Sequence, residues 1–285
     1  MLTIVGFIIV AGSVLGGFLM HGGQPMVLFQ PSEFIIIGGA AGGALIVATP
    51  ISVLKDLIRQ IMGSFSPGYG KKAYMDLMVM LYEIFNIARR EGLVGLESHI
   101  EKPRESEVIS RYASFLKNHE AIDFMSDTMR LIITGSVQPH ELEALLDVDL
   151  ETIHEEVDRA PTILATTADS MPGLGIVAAV LGVVITMGAI GGPAEEIGHK
   201  VAAALVGTFL GVLLCYGFVG PLANNLKSRN QSDSAYMTCL KQCLLAFCKG
   251  FPPSIAVEYG RRSIPTEVRP SFTDVEDACK DTRKT

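Results

Sequence analysis

Few groupings of side chains in this 285-residue sequence are of a type that does chemistry, and each stops short of a working pattern. His154-Glu155-Glu156 lacks the second histidine that would complete a zinc site on a helix face. Residues 63–72, GSFSPGYGKK, are similar to a phosphate-cradling loop but miss the G-x-x-x-x-G-K-[ST] spacing. Cys239 and Cys243 are four apart and would share a helix face, yet no histidine lies near them to fill out a metal site. Thiols so placed are small apolar core groups as readily as ligands. With Cys215, Cys248 and Cys279 they form no disulfide framework. These near-misses lead us to expect no enzyme, no metal and no cofactor.

The elements that must position any working group are apolar. Residues 2–20, 34–54, 170–194 and 201–226 carry no Asp, Glu, Lys or Arg, and each run reaches the roughly 20 residues that cross a hydrocarbon core. The first run has no basic residues before it and a second run follows closely, so it reads as a span and not as a removable leader. Four spans place both termini on one side. Lys and Arg set the orientation: residues 55–169 hold 12 and residues 227–285 hold 10, whereas the linkers at 21–32 and 195–200 hold only Lys200. Positive charge collects on the cytoplasmic side, so the central segment and the tail are expected there. The net charge of −7 speaks against nucleic-acid binding, which wants a basic face.

Outside the spans the pattern is helical, and the class is all-α. In 71–90, Leu77, Met80, Leu81, Ile84 and Ala88 form one stripe, and Gly92 stops it. Segments 105–118 and 120–134 read as two more helices, and another runs from near Pro139 to about Ala160. Residues 227–250 continue the fourth span as helix until Pro252-Pro253, and the last dozen residues read as a mobile polar tail. This divides the chain into 1–54, 55–168, 169–226 and 227–285. Gly12/Gly16, Gly38/Gly42, Gly39/Gly43 and Gly207/Gly211 follow the small-xxx-small spacing that lets helices approach closely in lipid.

Within those span limits there is no Asp, Glu, Lys, Arg or His; the polar side chains are mainly Ser13, Thr49, Ser52, Thr186, Thr208 and Tyr216. Pumps keep an ionisable group in the membrane because that group carries the ion. A chain built this way is expected to borrow its titrating carboxylate from a partner. Asp169 stands only at the cytoplasmic edge of the third span, where capping a helix start is an equally available role.

The arrangement resembles the MotA family of flagellar motor stator subunits, within the wider group that includes ExbB and TolQ. The resemblance rests on IARREGLVGLESHIEKPRES (87–106), Arg130 followed by LIITG (131–135), DSMPGLGIVAAVLGVV (169–184), VGTFLGVLLCYGFVGPLA (206–223), PPSIAVEYGRR (252–262) and RPSF (269–272). It implies a homo-oligomeric ring, generally of five copies, in the bacterial inner membrane. Two copies of a MotB-like subunit at its centre supply the proton-carrying aspartate. Pro172 and Pro221 match the family's functional prolines, although by themselves they start or bend a helix. Thr208 matches a threonine facing the partner's aspartate, where a hydroxyl holds a carboxylic acid or a water; alternatively it bonds back to its own helix. Ala179 stands where sodium-driven relatives carry threonine, which favours protons. Arg89, Arg90 and Glu97 match the segment that engages the rotor protein FliG, and equally suit a solvated cluster at a helix C-terminus. An ExbB/TolQ-like energiser and a self-contained transporter are the alternatives; the long central segment and the empty spans count against them.

Overall fold

The computed structural model describes residues 2–64, 68–188 and 190–282; Phe65, Ser66 and Pro67 of the GSFSPGYGKK segment, Ala189 and residues 283–285 lie outside it. Among the described residues there are helices and connections but no strand. In chain order the helices are α1 (Leu2–Met20), α2 (Pro25–Leu28), α3 (Pro31–Ala48), α4 (Ile51–Gly63), α5 (Lys71–Glu91), α6 (Glu97–Glu101), α7 (Ala113–Leu116), α8 (His119–Thr134), α9 (Pro139–Met187), α10 (Ala194–Leu213), α11 (Gly220–Cys248), α12 (Pro253–Ser263) and α13 (Phe272–Asp281). A π-helical segment, Leu214–Val219, joins α10 to α11. The chain forms two compact units, residues 1–66 with 156–229 and residues 67–155 with 230–285, so α9 and α11 contribute to both.

The first unit holds the four helices long and apolar enough to cross a membrane. No residue of α1 is buried, the surface expected of a helix solvated by hydrocarbon. It docks through Phe7, whose ring centroid lies 5.3 Å from that of Phe218 in the π segment. The second span ends at Ala48, short of the expected Leu54: Pro50 forces Thr49 into extended backbone, and α4 restarts at Ile51. Helix α9 does not stop near Ala160 but runs through Pro161 and Pro172. Proline at 161 frees the carbonyl of Val157 from its helical partner, and the Gln60 side-chain amide of α4 donates to it at 2.9 Å.

The second unit is built on the stripe read from 71–90. Leu77, Met80, Leu81, Ile84 and Ala88 are all buried, and α5 packs against α12 and α13. Phe85 stacks on Phe247 with centroids 4.4 Å apart, and Tyr69 on Tyr236 at 4.1 Å. Cys239 and Cys243 are buried free thiols, and a methyl group on Gly260 would collide with both sulfurs. Their role is close packing of α11 against α12, and burial raises the Cys243 thiol above its usual range, chiefly beside the Cys239 thiol. Buried Lys241 of α11 pairs with Asp147 of α9, and Lys249 pairs with Glu143 at 3.0 Å.

Two expectations for this unit fail. Segment 105–118 is not one helix but a 3-10 turn at Ile109–Arg111 and the single turn α7. The Ser106 hydroxyl accepts the Ile109 amide and bonds His99 at 2.7 Å, a local bond that competes with a helical one. Nor are residues 274–282, the described part of the last dozen, a loose tail. Helix α13 begins on a reciprocal cap between Ser271 and Asp274 and buries Val275 and Cys279. Lys71 and Ser271 hold the Asp274 carboxyl below its usual range. Ser271→Ala removes an N-cap worth about 1 kcal/mol, so amide exchange across 272–281 should accelerate roughly five-fold. Unchanged exchange would mean that packing alone orders the helix.

Candidate functional site

In the first unit the site is organised by α9 and α10, and glycine sets their spacing. A Cβ on Gly175 would lie 2.8 Å from the Gly207 carbonyl oxygen, one on Gly211 would lie 2.6 Å from the Met171 carbonyl, and one on Gly182 would lie 2.6 Å from the Ala204 Cβ. The Gly207/Gly211 pair therefore does what its spacing foretold. A Cβ on any of Gly12, Gly16, Gly38, Gly39, Gly42 or Gly43 meets nothing within 4 Å, so within one chain those pairs bring no helices together.

The contact brings Ala179 and Thr208 to the same level. The Ala179 amide nitrogen lies 3.2 Å from the Cβ position of Gly207, and the Thr208 Cα lies 3.3 Å from that of Gly175. Both residues are partly exposed on the pair. Pro172 sits inside α9, where it deprives the Ala168 carbonyl of its helical donor. Hydroxyls of Thr162, Thr166, Thr167 and Ser170 bond back to carbonyls along this stretch. Pro221 is exposed and follows the π segment directly. Its missing N–H removes the normal bond to Gly217, and Gly220 instead donates five residues back to Cys215. A Cβ on Gly220 would sit 2.7 Å from that carbonyl oxygen.

Sequence reasoning missed one residue. The span boundary set at Phe34 leaves Glu33 outside, but α3 begins at Pro31 and carries Glu33 in its first turn. The side chain is buried, with 5 % exposure. Oε2 has no hydrogen-bond partner among the described residues and lies 2.6 Å from the Cβ position of Gly207. The absence of ionisable groups from the spans therefore needs this correction. The signal was present: proline at the first helical position marks the helix start better than the edge of a charge-free run.

In the second unit Arg89 and Arg90 occupy the last turn of α5, which Gly92 ends with φ +79°. The chain turns through Leu93–Leu96 into α6, whose first residue is Glu97. Leu96 and Ile100 are buried, while Arg89, Arg90 and Glu97 are exposed and have no ion-pair partner among the described residues. Arg130 fastens the segment to α8, with Nε donating to Glu101 at 2.9 Å and Nη1 to Asp127 at 2.8 Å. The segment is thus anchored from beneath and leaves its outward charges unpaired.

Residues 4–92 match the Motility protein A N-terminal family and residues 117–238 the MotA/TolQ/ExbB proton channel family. Motility protein A of Escherichia coli is 42% identical over 278 residues, 97% of this chain and 94% of that protein, and Motility protein A of Salmonella typhimurium matches equally. Chemotaxis protein LafT of Vibrio parahaemolyticus is 38% identical over 95% of this chain and 96% of its own length. The fold is similar to that of C. jejuni MotAB, with TM-score 0.77 and 19% identity over 94% of this chain and 98% of that one. It is also similar to the flagellar MotAB stator complex from Bacillus subtilis, with TM-score 0.74 and 20% identity over 97% and 98%.

Gly211→Ala places a methyl group against backbone that has no flexible side chain to move aside. It should cost about 1–3 kcal/mol and lower the melting temperature of the detergent-solubilised protein. A melting temperature equal to that of the unaltered protein would show that the α9–α10 contact has slack.

Proposed function

We propose that this chain, which belongs to the MotA/TolQ/ExbB proton channel family, acts as the stator subunit of a bacterial flagellar motor and turns an ion gradient into torque. The match to the Motility protein A N-terminal family over residues 4–92 favours this over an ExbB/TolQ-like energiser. In this reading it is a multi-pass protein of the inner membrane with both termini in the cytoplasm. Five copies surround two copies of a MotB-like subunit, whose aspartate carries the proton.

The observation that supports the reading best is the α9–α10 pair itself: a glycine-tight helix pair that presents Ala179 and Thr208 at one level, with no Asp, Glu, Lys, Arg or His between residues 170 and 194 or between 201 and 226. Such a wall can guide a charge without binding it. Protonation of the partner's aspartate removes a costly intramembrane charge and lets that helix pass from one copy to the next. Release of the proton to the cytoplasm restores the charge. Thr208 offers a hydroxyl to the acid or to a water. Ala179 withholds the additional oxygen that a sodium ion would need in place of its hydration shell, so the coupling ion is the proton. Pro172 in α9 and Pro221 at the start of α11 each leave a carbonyl without its helical donor. Arg89, Arg90 and Glu97 meet complementary charges on the rotor protein FliG. Exposed ion pairs are worth only about 0–1 kcal/mol each, which suits a contact made and released at every step.

Proton influx in cells decides the channel reading. Flux is expected only when this chain is expressed with a MotB-like partner opened by deletion of its plug, and should vanish when the partner's aspartate is replaced. Equal flux from this chain alone would favour a self-contained transporter. For the rotor contact, Arg89→Glu should reduce swimming speed and a matching charge reversal on the rotor should restore part of it. Failure of every pairing to rescue would remove Arg89 from the contact.

A further inference from the structure

Glu33 has no role in the mechanism above, and its surroundings are unusual for a carboxyl group. It is 95% removed from solvent, being 5 % exposed, and Oε2 has no partner among the described residues. The oxygen is seated in the notch that Gly207 leaves by lacking a side chain, with the Ala178 Cβ 3.0 Å and the Ala179 amide nitrogen 3.2 Å from the vacant Cβ position. Among the described residues no charged side chain stands at this level on the elements packed around it; along α10 the nearest in sequence are His199 and Lys200, the latter paired with Glu196 at 2.8 Å. Helix α9 presents Ala178 and Ala179, α10 presents Gly207 beside Thr208, and α3 carries no other ionisable residue. Between residues 2 and 32 the one ionisable side chain is His21. His21 lines a cavity of about 510 Å³ together with Val14, Phe18, Leu28, Leu205 and Val206. Val206 directly precedes Gly207, so the cavity wall and the Glu33 seat are consecutive residues of α10.

We propose that Glu33 is a proton-binding site of this chain, on the outward half of the ion path and behind the Ala179–Thr208 level. The proposal rests on the proton-channel reading. A proton from water on the outward side forms an O–H bond at the Glu33 carboxylate and gives the neutral acid. That bond breaks as the proton passes on to water or to the partner's carboxylate, which regenerates the Glu33 carboxylate. One proton enters and one leaves, and no other reactant is needed. The glycine at 207 is the structural condition, because a methyl group there would occupy the space of the oxygen.

The test is proton influx at a series of external pH values in cells expressing the full chain with the unplugged partner, alongside Glu33→Gln and Glu33→Asp. Membrane abundance and co-purification with the partner confirm assembly of each variant. Glu33→Gln keeps the shape and loses the proton, so flux should fall several-fold and its dependence on external pH should flatten. Glu33→Asp should keep a pH dependence with a displaced midpoint. Gly207→Ala should reproduce the Glu33→Gln profile. An assembled Glu33→Gln complex with wild-type flux at every external pH would overturn the proposal. If Glu33→Gln fails to assemble, Glu33→Asp decides in its place, and a wild-type midpoint overturns the proposal. Absence of flux from the unaltered pair, by contrast, would count against the channel reading itself.

Discussion

The backbone contact between α9 and α10 is the constraint on which the membrane part of this protein depends. In water, two apolar helices associate because water rejects their surfaces; in hydrocarbon that drive is absent, and association comes from close packing. Gly175, Gly182, Gly207 and Gly211 let the two main chains approach to distances no Cβ would tolerate. That approach fixes the register of the pair, and the register sets the level of everything functional on it. Ala179 and Thr208 share a level because Gly175 and Gly207 face each other's helix there. Glu33 reaches main chain only because position 207 has no side chain. Moving either helix by one residue would exchange the glycine face for Ile176, Leu210 or Val206 and would lose the contact and the register together.

A tight pair must also accommodate interruptions in its own backbone bonding. In lipid, a backbone group without a partner costs several kcal/mol, yet α9 continues through two prolines and the α10–α11 connection meets a third. The solutions differ. At Pro161 the freed carbonyl is that of Val157, and Gln60 of another helix supplies the donor. Around Pro172 the hydroxyls of Thr167 and Ser170 turn back onto the Ile163 and Thr167 carbonyls, not onto the Ala168 carbonyl that the proline frees. Before Pro221 the ladder shifts its register to five residues for one turn, which is how π segments commonly enter helices at working positions. The three prolines are thus not equivalent: the first is satisfied from outside, while the last two loosen the helix pair on the stretches that carry the candidate residues.

Long periodic features were legible in the sequence. The Leu77–Ala88 stripe became the buried face of α5 and Gly92 adopted the positive φ that ended it, whereas α11 ends at Cys248 through the positive φ of Gly250, before Pro252 is reached. Composition alone revealed four apolar spans. Features settled by one distant side chain were not legible. The end expected for α9 near Ala160 falls just before Pro161, and nothing local announces that Gln60, 97 residues before Val157, supplies the donor that lets the helix continue. Segment 105–118 has helix-compatible residues, but Ser106 diverts an amide into a side-chain bond. Helix α13 buries too few apolar residues for a period to be visible, and it depends on its cap and on the Lys71–Asp274 pair at 2.7 Å. Glu33 was missed for another reason: a charge-free run reports where hydrocarbon is tolerated, whereas the helix and its burial begin earlier.

The rotor contact proposed for the second unit would face an opposite demand. A surface that must hold and release a partner repeatedly needs weak bonds, but weak bonds transmit force only if the groups making them are firmly placed. The Arg89–Glu97 segment meets both conditions by separating them. Its outward charges have no ion-pair partner among the described residues, so an incoming charge would displace only water there. Its inward side is held by buried Leu96 and Ile100, by the glycine turn at residue 92, and by Arg130 bridging Glu101 and Asp127. Replacing the buried leucine would cost far more than any exposed ion pair at the surface contributes. The stiffness of the contact is therefore set by side chains that never touch the partner, and its affinity by side chains that contribute little to the fold.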